Sequence, residues 1–171
     1  MTEPSTQEST GMPEQPQQEH EWLQRLVGEW TYEVEMDMGP DQPREKNSGS
    51  ESVRSLGGLW IVGEGKGVMP GAGEVTSIIT LGYDPRRQRY VGTWVGSMMS
   101  HLWIYDGRLD GQGKVLTLDS EGPAMADHTK TARYRDIIEL ASDDERLLRA
   151  EVLGDDGAWN EFMVARYRRT G

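Results

Sequence analysis

Behind a short N-terminal segment, the chain is a succession of about ten strand-like runs with almost no helix between them. In the first run Trp30, Tyr32, Val34, Met36 and Met38 alternate with polar, mostly acidic residues. Such alternation is typical of a strand with one face in a core and the other in water. The other runs are residues 50–56, 58–68, 74–83, 88–96, 101–109, 114–120, 131–140, 146–153 and 158–168.

Turn residues separate these runs, among them Gly57-Gly58, Pro70-Gly71, Asp84-Pro85 and Asp155-Asp156-Gly157. Strands that recur about every 8–12 residues with such turns between them predict an all-β sandwich or barrel. Short connections favour an up-and-down order, because consecutive strands then pair through hairpins. We therefore expect an all-β fold, an up-and-down antiparallel β-barrel of about ten strands.

The two ends of the strand series predict how the barrel closes. Gly28 stands two residues before Trp30 on the first strand, and Arg168 stands on the last. We expect the Trp30 ring to form the floor of one end, with the Arg168 guanidinium stacked over it. Alternation alone leaves the inward face of the last strand open. The pairing of Trp30 with Arg168 favours as inward the set Phe162, Val164, Arg166 and Arg168.

The N-terminal segment divides into two parts. Residues 1–18 are rich in Pro, Gln and Glu and nearly free of large apolar side chains, which predicts a disordered acidic tail. Residues 19–27 predict a short helix that lids the barrel, with Trp22, Leu23 and Leu26 on one face. Residues 19–171 are then a single barrel domain.

Charge and composition exclude several classes of partner. The net charge of −11 argues against nucleic acid and anionic membranes. The chain has no cysteine, which excludes disulfides and thiolate chemistry and fits a reducing compartment. There is no secretory signal, and no stretch approaches the roughly 20 apolar residues of a membrane span. We expect a cytoplasmic protein.

Several runs carry a resemblance to a known family. They are residues 26–30 (LVGEW), 56–60 (LGGLW), 80–85 (TLGYDP), 90–99 (YVGTWVGSMM), 101–103 (HLW), 113–118 (GKVLTL), 134–136 (YRD) and 165–169 (ARYRR). With them the chain resembles the DUF1579 family, an uncharacterised group related to the calycins (lipocalins, fatty-acid-binding proteins and their kin). The resemblance implies a calycin- or lipocalin-like barrel and no assigned function. Many members have an acidic residue where this chain has Gly96, so the resemblance places no carboxylate chemistry there.

The segment around His101 is the strongest candidate for a ligand site. His101, Trp103 and Tyr105 share one strand face. If that face points inward, the imidazole lies beside an indole and a phenol in a cavity suited to a flat or conjugated ligand. The alternative is a structural histidine at the rim or in the core.

Further candidates extend this site. Trp94 lies between two glycines, which leave room for a ligand or mark a bend in the barrel. Met98 can adapt to an apolar ligand or fill a gap in the core. Some charged residues share a strand face with apolar neighbours. If that face points inward, each charge must form an ion pair or contact a ligand. An inward arginine could bind the carboxylate of a ligand. The predicted ligand-binding residues are Glu64, Trp94, Met98, His101, Trp103, Arg135 and Arg166.

Motifs for catalysis are missing from the sequence. His20, His101 and His128 are far apart and do not have the spacing of metal ligands. There is no nucleophile elbow and no Walker-type loop. We predict no catalytic residue, no metal and no cofactor.

These observations favour a barrel that binds a small apolar or aromatic molecule in its interior. One alternative is an enzyme (an isomerase, cyclase or hydrolase) that uses His101 and Glu64 as an acid–base pair. A second is a haem-binding barrel with His101 as the ligand. A third is a scaffold that self-associates into a homo-oligomer through an outer face or edge of the barrel.

Overall fold

The computed structural model describes residues 13–171. Residues 1–12, which make up most of the predicted tail, lie outside the described residues. Residues 13–17 are exposed and contain no helix or strand, and the helix begins at Gln18. The described part of the chain has no helix with the length and hydrophobicity needed to cross a membrane.

One helix and ten strands make up the fold, and the prediction of an all-β antiparallel barrel is confirmed. The elements are α1 (Gln18–Gln24), β1 (Gly28–Met36), β2 (Glu45–Leu56), β3 (Trp60–Met69), β4 (Gly73–Asp84), β5 (Arg89–Gly96), β6 (Trp103–Leu109), β7 (Val115–Pro123), β8 (Thr131–Leu140), β9 (Glu145–Leu153) and β10 (Trp159–Arg169). Each strand pairs with the next, and β1 pairs with β10 to close the barrel.

Strand β2 begins five residues earlier than its sequence pattern indicates. Glu45 pairs with Met36, and the pairing continues without interruption to Val53 opposite Gly28. Residues 45–49 carry no apolar alternation because their inward positions lie near an open end of the barrel. Backbone pairing with β1 holds them in the sheet instead.

Helix α1 closes one end of the barrel. Leu23 and Leu26 are completely or almost completely buried, and the indole N–H of Trp22 donates to the carbonyl of Gly113 at 2.7 Å. Trp30 is 1% exposed, and its Nε1 donates to the Leu26 carbonyl at 2.9 Å. We call this the sealed end.

Arg169 and not Arg168 is the arginine of β10 that lies over Trp30, so the prediction of Arg168 for this position is wrong. Arg169 is the cross-strand partner of Trp30, and its guanidinium carbon lies 4.3 Å from the centre of the ring. The Arg169 guanidinium also donates to the carbonyls of Arg25, Val27 and Asp143 at 2.5–2.8 Å.

Arg168 has the opposite orientation because side chains alternate along the strand. Its side chain is 77% exposed and lies 3.5 Å from Glu145. Ala165 and Tyr167 are buried, so the predicted inward placement of Val164, Arg166 and Arg168 is wrong. Phe162 does point inward, against Tyr134, because a β-bulge between Glu161 and Met163 shifts the alternation there. Gly28 has φ +140°, and any side chain there would collide with Arg169.

The barrel is solid near the sealed end and looser towards the other. Leu81, Leu116 and Leu118 are fully buried in the sealed half. Farther along the barrel axis, inward side chains that pack on this core are only half-buried; they include Val34, Ile79, Trp94 and Leu148. Solvent therefore reaches the interior from the end opposite α1, which we call the open end.

Candidate functional site

Four aromatic rings form a continuous series along the inner wall near the open end. His101 and Trp103 meet edge to face with ring centres 4.7 Å apart, and Trp103 and Tyr134 do so at 5.0 Å. Tyr134 in turn meets Phe162 at 6.1 Å. This is the preferred geometry of aromatic pairs. We call the four rings the aromatic row.

Gly122 on β7 allows the row to form. Strand β7 lies between β6 and β8, so a side chain at Gly122 would separate Trp103 from Tyr134. The six-membered ring of Trp103 occupies the space that a Cβ at Gly122 would take. The missing side chain thus lets rings from two non-adjacent strands touch.

Trp94 extends the aromatic surface on β5, directly opposite Trp103. Its ring and the sulfur of Met98 fill the space beside Gly96. Glycine at this position therefore makes room for protein side chains. Trp94 and Met98 are both half-buried, and both lie near the open end.

His101 is held by the backbone of the neighbouring strand. Its Nε2 lies 2.9 Å from the carbonyl oxygen of Glu121, and because a carbonyl only accepts, Nε2 carries the proton. An N–H nitrogen cannot ligate iron, so the site does not fit a haem bound through Nε2. Nearby, the indole N–H of Trp103 donates to the sulfur of Met99 at 3.0 Å.

The barrel wall is incomplete beside His101. Strands β6 and β7 pair only from Asp106 opposite Asp119 to Leu109 opposite Leu116. Beyond that point the two strands are not paired, and a hollow of about 660 Å³ lies beside them. Outward residues form most of its lining, among them Leu102, Ile104 and Arg135. His101, Ser120 and Tyr134 reach it from the inner face.

Glu64 lies on the outer face of β3, so its predicted role in an interior site is wrong. Its side chain is 52% exposed and lies 3.8 Å from the ammonium of Lys66. Ile61, Gly63 and Gly65 are the inward, buried residues of this strand. The pairing of Glu64 with His101 as acid and base is wrong for the same reason, since the two side chains lie on opposite faces of the wall.

The other two predicted charges also point outward. Arg166 is exposed between the inward residues Ala165 and Tyr167. Arg135 bonds Glu151 at 2.6 Å and lies 4.0 Å over the ring of Trp159, on the outside of β8. Neither arginine can hold a ligand inside the barrel.

Two interior charges that were not predicted as site residues form an ion pair. Arg146 on β9 bonds the carboxylate of Glu51 on β2. The Arg146 guanidinium also lies 3.8 Å over the ring of Tyr167 and 4.7 Å over Trp30. Only 5% of the Arg146 side chain and 12% of the Glu51 side chain are exposed. Burial, and then the charge of Glu51, raise the pKa of Tyr167.

Asp136 is a third interior charge, on β8. The hydroxyl of Tyr105 donates to its Oδ2 at 2.6 Å. Burial raises the pKa of Asp136 to about 6, an effect that the hydrogen bond from Tyr105 partly offsets. The same burial raises the pKa of Tyr105 well above its usual value. Asp136 shares a strand face with Tyr134 and Ile138, and that parity is the sequence signal that could have placed it inside.

Metal-binding geometry is not found in residues 13–171, where no three histidine or acidic side chains converge on one point.

Two of the solved structures that resemble this fold cover more than 90% of the chain. One is Rv2717c from M. tuberculosis, with 11% identity, a TM-score of 0.59, and coverage of 92% of this chain and 100% of that chain. The other is an S-type phycobiliprotein lyase, CPES from Guillardia theta, with 13% identity, a TM-score of 0.59, and coverage of 91% and 99%. At such identities the likeness shows the fold alone. No curated protein matches the chain in sequence.

The sequence also matches one family model, described as "Protein of unknown function (DUF1579)", over residues 15–169. The match takes in α1 and all ten strands, including the aromatic row and the interior charges. The chain therefore belongs to the DUF1579 family.

Proposed function

We propose that this protein binds a small, flat, largely apolar molecule inside the barrel, through the open end. The observation that carries the proposal is the aromatic row, in which His101, Trp103 and Phe162 are half-buried while the opposite end of the barrel is solid. The half-buried rings of Trp103 and Phe162 offer apolar faces to a planar guest. Filling the space between them would remove that surface from water.

The residues at the open end suit a guest of this kind. Trp94 and Trp103 are cross-strand partners on the inner face, and Met98 adds an adaptable thioether beside Trp94. Binding is favoured over catalysis because the proposed acid and base, His101 and Glu64, lie on opposite faces of the wall.

The test is a calorimetric titration with naphthalenemethanol, a neutral planar probe. We expect the wild type to bind it, and Trp103→Ala to weaken binding about tenfold or more, because the largest ring of the row is lost. Trp60→Ala is the matched control, since Trp60 lies on the outer face over Gly82. Circular dichroism establishes that each variant keeps the barrel.

Two results would overturn the proposal. One is a wild-type protein that gives no heat of binding with the probe. The other is equal weakening by Trp103→Ala and Trp60→Ala, which would place the bound probe outside the barrel.

A further inference from the structure

Asp136 is an interior carboxyl group that accepts a hydrogen bond through one of its two oxygens. It faces into the barrel, where Tyr105 donates to one of its oxygens. The other oxygen, Oδ1, makes no hydrogen bond within residues 13–171, and the residue as a whole is half-buried. No lysine, arginine or histidine of the described residues forms an ion pair with Asp136.

The position of Asp136 puts its free oxygen within reach of a guest. Asp136 follows Tyr134 by two residues on the same strand face, which is a separation of roughly 7 Å along the strand. Its hydrogen-bond partner Tyr105 likewise follows Trp103 by two residues on β6. The Tyr105–Asp136 pair is therefore the layer directly below the aromatic row. Its cross-strand neighbour on β9 is the small residue Ala150.

The other interior charges compensate each other. Arg146 and Glu51 form a buried pair, so together they contribute no net charge to the interior. An ionised Asp136 has no such partner among the ion pairs of the described residues. A lone carboxylate in such surroundings is costly unless it meets a proton or a cation.

We infer that the guest of the barrel interior carries a basic nitrogen, as an amine or amidine, which pairs with Asp136 while its flat apolar part lies against the aromatic row. This inference rests on the proposed function. The indole and phenol faces also attract cations. The net charge of −11 raises the local concentration of cations and opposes the entry of anions.

The experiment uses three probes that share one ring system and differ in charge. They are naphthylmethylamine, naphthalenemethanol and naphthylacetic acid, titrated into the full chain by calorimetry at about pH 8, where amine and carboxyl groups are charged. We expect the amine to bind about tenfold or more tighter than the alcohol, because a charged hydrogen bond to Asp136 is added. The acid should bind weaker than both.

Asp136→Asn tests the residue. The amide keeps an oxygen for the Tyr105 hydroxyl, so the barrel is preserved, while the charge is lost. We expect the variant to bind amine and alcohol with similar affinity, with the affinity for the alcohol unchanged. Asp119→Asn is the matched control, because Asp119 bonds Arg108 on the outer face of the wall. Tyr105→Phe is the second variant; it keeps the carboxylate and should keep the preference for the amine.

The outcomes separate this inference from the function on which it rests. Equal binding of all three probes to the wild type would overturn the inference and leave the proposed function standing. A preference for the amine that survives Asp136→Asn would also overturn it. Failure of every probe to bind would overturn the proposed function, and the inference with it.

Discussion

Arg168 and Arg169 are neighbours in sequence with opposite surroundings. Arg169 caps three backbone carbonyls and stacks on Trp30, while Arg168 extends into solvent beside Glu145. Charged hydrogen bonds to carbonyls that are otherwise unpaired stabilise a fold, and exposed ion pairs contribute little. The stability of the sealed end should therefore depend on Arg169 and not on Arg168.

Urea unfolding of two alanine variants tests this assignment. We expect Arg169→Ala to lower the free energy of unfolding by about 2–4 kcal/mol, because three carbonyls lose their donor. Arg168→Ala should change it by less than about 0.5 kcal/mol. Similar losses in the two variants would show that the placement of Arg169 over Trp30 is wrong.

Asp136 should also make stability depend on pH. Burial raises its pKa to about 6 in the folded protein, above the ordinary value of about 4. The folded state thus favours the protonated carboxyl. The contribution of this group to the free energy of unfolding is fully present below about pH 4. It is lost as the pH rises through about 6, and the total loss is up to roughly 3 kcal/mol. Tyr105, Tyr167 and the Glu51–Arg146 pair are the other titratable groups in its surroundings.

The measurement compares the wild type with Asp136→Asn by urea unfolding across this range. Asparagine has no charge to bury, so the variant should gain stability relative to the wild type as the pH rises from about 4 to about 7. A constant difference between the two proteins at every pH would contradict a buried, titrating Asp136. Asp119→Asn is the surface control.

At the level of strands, period-two alternation was enough to predict ten strands and their up-and-down order. It did not predict which face of β3 points inward. The inward positions of β3 are largely glycines, among them Gly63, Gly65 and Gly67, and the Tyr32 hydroxyl occupies the space beside Gly67. Glycines carry no hydrophobic signal, and the apolar Trp60 on the opposite face made Glu64 resemble an inward residue.

The aromatic row shows why the candidate site was only partly predictable. The shared strand face of His101 and Trp103 could be derived from alternation. Their contact with Tyr134 could not, because it depends on the register of three strands and on Gly122 between them. Phe162 joins the row at a β-bulge, where strict alternation breaks and parity no longer predicts direction.

The net charge of the molecule and the Asp136 carboxylate both attract cations, but over different distances. The net charge of −11 acts over long distances, while Asp136 would act only on a guest in contact with it. Salt screens the first far more than the second. The Debye length shrinks from about 30 Å at 0.01 M to about 3 Å at 1 M, and partly buried pairs are screened much less.

Titrations at low and high ionic strength should separate these two contributions. We expect the affinity for naphthylmethylamine to fall as salt rises from about 0.01 M to about 1 M, because the attraction of the whole molecule is screened. A preference for the amine over naphthalenemethanol should remain at high salt in the wild type and disappear in Asp136→Asn. If the amine binds equally well at both salt concentrations, the charge of the whole molecule has no part in attracting the guest. If its preference is abolished by salt alone, no contact with Asp136 exists.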